Sequence, residues 1–263
     1  MKLNLVDLYG TLRQAPRISE DRNKATCILR VARNMIRNGG QNKERNGFWD
    51  EVIIRTKDKA IVDELAKMEQ YDIVRVKGVI TVRRINRQTI CEHCGIKNIT
   101  ENKICYVEPI YVERTHTGFT EDAAEDFVFR HREVSNIARI IGDLTGPPKA
   151  NDKLSIPACQ YQIAVPRTYR IEGDTDDEKA DFPLVKSYGK NAKEDLKRLK
   201  ANSSVWIDGC IQSRLVKQEF VCTDCGKTYK KEIKVNEIVP YETEYLKNYW
   251  TDEELQSGQG AIE

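Results

Sequence analysis

The hydrophobic positions of this chain fall into short runs separated by polar loops, and the same order of runs occurs twice. The first run ends at Gly10 (Asn4-Leu-Val-Asp-Leu-Tyr-Gly10), its counterpart at Gly142 (Asn136-Ile-Ala-Arg-Ile-Ile-Gly142), and Pro16 or Pro147-Pro148 follows. Second strands are predicted over residues 26–32 and 158–164. In the latter, Tyr161 and Ile163 alternate with Gln160 and Gln162, the period of a half-buried strand. Polar loops over 37–47 and 172–180 lead to third strands at 48–54 and 182–186. Ile61, Leu65 and Met68, like Ala192, Leu196 and Leu199, lie at i, i+4, i+7 and form one apolar stripe on a charged helix; these residues read as core. Fourth strands over 73–78 and 205–209 and fifth strands over 104–107 and 232–239 complete each unit.

Equivalent positions lie 132 residues apart at first (Gly10 and Gly142, Cys27 and Cys159) and 131 apart later (Gly78 and Gly209, Cys91 and Cys222), the drift a small loop change leaves. A period this long is a duplicated domain rather than a solenoid of 20–50-residue repeats. The 263 residues are therefore expected to form a first domain (1–113), a linker (114–133), a second domain (134–245) and a short acidic tail (246–263). Three strands, a helix and two strands is the order of an OB-fold. The expected fold class is mainly β: two tandem five-stranded OB-fold barrels, each with one helix between strands 3 and 4.

Net charge is +2, which alone argues neither for nor against nucleic acid. Residues 12–46 nevertheless carry nine Lys/Arg against Glu20, Asp21 and Glu44, while acids gather at 121–126, 172–181 and 252–254. A locally basic face is one reading and a merely solvated surface the other. No run of 18 apolar residues or signal-like start occurs, so a cytoplasmic location is expected.

Eight cysteines without a secretion signal argue against a disulfide framework. Cys27, Cys159 and Cys210 sit in apolar runs and read as buried hydrophobes. Cys91-x-x-Cys94-Gly95 and Cys222-x-x-Cys225-Gly226 are two zinc-type knuckles, one per half. The economical arrangement is one structural Zn2+ held by Cys91, Cys94, Cys222 and Cys225. The alternatives are a first-half site using Cys105 with His93 or His116, a zinc shared between two chains, and free or redox thiols. Motifs for Walker loops, serine hydrolases, zincins and zinc deaminases are absent, and no enzyme is expected.

Each half resembles the bacterial single-stranded DNA-binding protein family. The resemblance rests on Asn-x-x-x-x-x-Gly-x-Leu with a downstream Pro, an aromatic-led third strand running into a helix, and Gly78-Val-Ile-Thr-Val-Arg83 with Gly209-Cys-Ile-Gln-Ser-Arg214. It spans 3–112 and 134–241, and implies single-stranded DNA held by stacking aromatics and a basic groove. Trp49 and Phe182 take the stacking position heading the third strand. Tyr188 takes another, with Arg55 as its first-half counterpart, and Tyr169 a third, where the first half has Met35 or Ile36. Phosphate and stacking cations are expected at Arg30, Arg33, Arg55, Arg83, Arg84 and Arg87, and at Arg167, Arg170, Lys186, Lys190, Arg214 and Lys217. Trp206 reads as barrel packing. The resemblance further implies a role in replication, recombination, repair or mobile-element transfer, and a homodimer presenting four OB-folds. The tail 251–263 is acidic but lacks the family's Pro-Phe tip. A zinc-braced scaffold of a replication complex and an RNA-binding OB protein are the competing readings.

Overall fold

The computed structural model describes residues 2–34, 48–151, 155–167, 169 and 179–257. The first unit runs β1 (Asn4–Leu12), β2 (Arg17–Ile18), β3 (Ala25–Ala32), β4 (Trp49–Thr56), α1 (Lys59–Leu65), β5 (Ile73–Ile90) and β6 (Lys97–His116). Helices α2 (Glu121–Arg130) and α3 (Arg132–Ser135) follow it. The second unit comprises β7 (Asn136–Leu144), β8 (Lys149–Ala150), β9 (Ala158–Pro166), β10 (Ala180–Asp181), β11 (Leu184–Tyr188), α4 (Gly189–Arg198), β12 (Ser204–Val221) and β13 (Thr228–Lys247). A last helix, α5 (Asp252–Gln256), ends the described chain.

Both units close on themselves. β1 pairs with β5, β5 with β6, β6 with β4, β4 with β3, and β3 returns to β1. The second circuit runs β7–β12–β13–β11–β9–β7. In each barrel a single contact is parallel, β4 with β6 and β11 with β13. These are the two OB-fold barrels the sequence predicts, with α1 and α4 in the expected places. Alternate residues of β4 (Asp50, Val52, Ile54, Thr56) turn inward. Fully buried side chains such as Leu8, Leu29 and Ile54, or Ile140, Ile163 and Ile207, each stabilise their barrel by about 1.5–3 kcal/mol.

The family-like motif has a direct structural cause. Asn4 Nδ2 donates to the Ile80 carbonyl at 3.0 Å and its Oδ1 accepts from the Ile80 N–H at 2.8 Å. Asn136 makes the same pair of bonds with Ile211, at 2.8 and 3.0 Å. Both asparagines therefore pin the chain just after Gly78 or Gly209, where the β5–β6 and β12–β13 registers shift. At those glycines a Cβ would lie 2.3 Å from a carbonyl of the partner strand.

The barrels are joined through their first strands. β1 and β7 pair antiparallel with Asn4 opposite Ile140 and Leu8 opposite Asn136. Val6 thus faces Ala138, its own counterpart in the repeat, so the contact is isologous about an approximate two-fold axis. Asp50 on β4 and its equivalent Asp181 on β10 cross that axis. Asp50 Oδ1 accepts from the Ser213 N–H at 2.8 Å, and Asp181 Oδ1 from the Val82 N–H at 2.7 Å. The buried apolar residues of both barrels consequently form one contiguous core.

Pairing also corrects the repeat's alignment. Thr11 and Leu12 pair with Arg30 and Leu29, whereas Asp143 and Leu144 pair with Ala164 and Ile163. The offset is therefore 132 for β1 and β7 but 134 for β3 and β9, so Cys27 corresponds to Tyr161 and not to Cys159. Ile54 faces Val107 as Val185 faces Ile238, which sets an offset of 131 from the third strand onward. Phe182 then corresponds to Glu51, Trp49 to Ala180, and Arg55 to Lys186 rather than Tyr188. The repeat diverged by an insertion before β9 and a deletion after it, not by a single residue of drift.

Candidate nucleic-acid interface and metal centre

Beyond Gly78 and Gly209, β5 and β12 lose β1 and β7 as partners and continue as hairpin arms with β6 and β13. The arms lie against each other. Thr89 Oγ1 and Tyr229 Oη are 2.7 Å apart, and Gln218 Nε2 donates to Asn102 Oδ1 at 2.9 Å. Asn98 Oδ1 accepts from both the N–H and the hydroxyl of Thr223 at 2.8 Å. Phe220 stacks on Tyr229, with ring centroids 5.7 Å apart.

Each arm ends in a cysteine knuckle. The Gly95 N–H returns to the Cys91 carbonyl at 3.0 Å, as the Gly226 N–H does to Cys222 at 3.1 Å, both glycines having positive φ. Sulfur separations across the arms are 3.8 Å for Cys91 and Cys225 and 3.6 Å for Cys94 and Cys222. All four Sγ atoms lie within 4.8 Å of one another. A tetrahedral ion with sulfur at about 2.3 Å requires S···S edges of about 3.8 Å. The four thiols fit such an ion. The backbone N–H groups of Cys225 and Asp224 lower the Cys222 thiol, while desolvation and the facing Cys222, Cys91 and Cys225 sulfurs raise that of Cys94, as expected of close thiols that share protons. Cys105 is instead a half-buried β6 residue whose thiol desolvation pushes up to about 12. Among the described residues it does not join the cluster, nor does any histidine.

A cleft of about 640 Å³ opens between the base of the first arm and the second barrel. Arg83, Arg84 and Lys103 line it from the arm, and Arg167, Lys179 and Phe182 from the barrel. Phe182 is 43% exposed. Arg87 lines an adjoining recess that Phe182 also borders. Arg167 is fixed by Asp181 through bonds of 2.7 and 3.1 Å, and Arg84 reaches Glu101 at 3.0 Å. Lys103 and Lys179 escaped the sequence reading; the usable signal was pairing, since Lys103 lies opposite Arg84 across the arm.

The other sequence-predicted residues are placed differently. Trp49 is half-buried, with Phe129 at 6.1 Å and the Arg30 guanidinium 5.0 Å from its ring centroid. Arg30 in turn meets Glu125 at 3.0 Å, and Arg33 grips Asp50 at 2.6 and 3.1 Å. Arg55 lies over Tyr106, 5.8 Å from the ring centroid. Lys186 is buried, with its ammonium 5.5 Å from the Tyr188 ring centroid, and Arg214 bonds Glu237 at 2.8 Å. Tyr169, Lys190 and Lys217 are exposed; Arg170, Met35 and Ile36 lie outside the described residues. Trp206 is half-buried within β12.

Fold and cleft together define a tandem OB-fold protein with a basic, aromatic-bearing interbarrel groove. Residues 135–240, which make up most of the second barrel, match the model of the single-strand binding protein family. Among curated proteins none matches the chain. Among solved structures, the wild-type single-stranded DNA binding protein of Thermus aquaticus is similar at 14% identity, with 94% of each chain covered and a TM-score of 0.53. A deletion variant of that protein is similar at 16% identity, covering 95% of this chain and 98% of its own, also at 0.53. Those likenesses show a shared fold. Among the described residues, no helix is long and apolar enough to cross a membrane.

Proposed function

We propose that the chain binds single-stranded DNA, coating it in replication, recombination, repair or mobile-element transfer. The observation that carries this is the family match over the barrel whose Phe182 faces the basic cleft. A flexible strand needs an aromatic face for a base and cations for its phosphates, and no base-specific edge is required. The function is binding, not catalysis. Titration of poly-dT at several salt concentrations tests it: tight binding that weakens with salt is expected. No binding at low salt by the folded protein would leave the scaffold reading. Preference for poly-U over poly-dT would assign RNA instead.

The four sulfurs support a second proposal, one structural Zn2+ shared by the two arms. Cys91, Cys94, Cys222 and Cys225 would hold it, and the ion would clamp the arms without joining any reaction. Metal analysis of purified protein should find one zinc per chain; two or none rejects the shared site. Two such chains would present four barrels, the homodimer the family resemblance implies, and sedimentation equilibrium tests that assembly.

A further inference from the structure

The approximate two-fold axis creates two equivalent clefts, each between one barrel's arm and the other barrel's third strand. Their contents differ. In the open cleft, Phe182 stands at the position Glu51 occupies in the other, and Lys103 at the position of Lys234. Glu51 forms an ion pair with Lys234 and lies 3.8 Å from Arg30, so that lysine is neutralised within the fold. Lys103, among the described residues, faces the aromatic Phe182 and has no carboxylate partner. Helix α2 deepens the contrast. It lies against the first barrel, where Glu121 pairs with Arg13, Glu125 with Arg30 at 3.0 Å, and the following Phe129 with Trp49. The equivalent helix after the second barrel, α5, begins at the matching position and under a matching threonine cap, Thr251 for Thr120. Its Asp252 pairs instead with Arg198 on α4 at 2.7 Å.

We propose that the chain is functionally asymmetric: the Phe182 cleft alone holds single-stranded DNA, and the equivalent Trp49 face is closed by acidic side chains that take the place of phosphates. This rests on the single-stranded DNA reading above and adds which half of the duplication serves it. Arg13 and Arg30 spend their charge on α2 carboxylates, and Trp49 spends its ring on Phe129 and Arg30. A strand entering there would have to displace both. The sequence reading, which placed stacking in both halves, is narrowed accordingly.

The full chain is titrated with fluorescein-labelled oligo-dT, wild type beside Phe182→Ala, Lys103→Gln and Trp49→Phe. Phe182→Ala is expected to weaken binding about ten-fold, and Lys103→Gln to lower the salt-dependence slope by about one. Trp49→Phe, which keeps the packing on Phe129, should stay within about two-fold of wild type, and a short oligo-dT should saturate at one per chain. Saturation at two per chain, or a Trp49→Phe loss equal to that of Phe182→Ala, overturns the asymmetry while leaving DNA binding intact. Wild-type binding with no effect of Phe182→Ala or Lys103→Gln also overturns it. No wild-type binding at low salt removes the underlying reading and the asymmetry with it.

Discussion

Asp195 on α4 is fully buried in the second barrel, where Tyr245 donates to its Oδ1 at 2.9 Å. Burial raises its carboxyl to about 6, the bonds from neighbouring hydroxyls opposing the shift only in part. The folded state therefore binds this proton more tightly than the unfolded chain. Stability contributed by the site is full below about pH 4 and falls as pH rises through about 6, by about 3 kcal/mol in all. Asp195→Asn should remove that slope, so the melting temperatures of wild type and variant should diverge between pH 4 and 6, the variant gaining as pH rises. Parallel profiles would show that the carboxyl ionises normally. At the same scale, the roles of single residues were unevenly legible. Asn4, Gly78 and the cysteines could be picked out because their chemistry admits few uses. Trp49 could not, because an aromatic has one appearance whether it stacks on a base or on Phe129.

At the scale of elements, the order of strands and helices followed from hydrophobic period, since alternation marks a surface strand wherever it occurs. Register did not. Cys27 and Cys159 match by spacing, yet the strand pairings set Cys27 with Tyr161, because loops before and after β9 change length in opposite senses. A period-2 strand tolerates a two-residue shift without exposing its core face, so the alternation itself hides the change. The linker likewise contains α2 and the start of α3, and its acidic residues meet the first barrel's arginines across many residues of sequence.

For the whole molecule, three connections act together: the β1–β7 ladder, the crossed Asp50 and Asp181 bonds, and a core continuous through both barrels. Independent unfolding of one barrel would expose that shared core and leave a buried carboxylate without its partner N–H. Calorimetry should therefore show one cooperative transition with equal calorimetric and van't Hoff enthalpies, and two resolved transitions would contradict the coupling. The duplication, the OB-fold order and the four metal-type cysteines were determined by sequence alone, because composition, period and ligand spacing are local properties that survive translation along the chain. Tertiary structure alone decided that the cysteines converge from two arms, and that equivalent faces differ, one filled by α2 and one open at Phe182. Those are outcomes of contacts between distant segments, where charge and shape are matched across space rather than along the sequence.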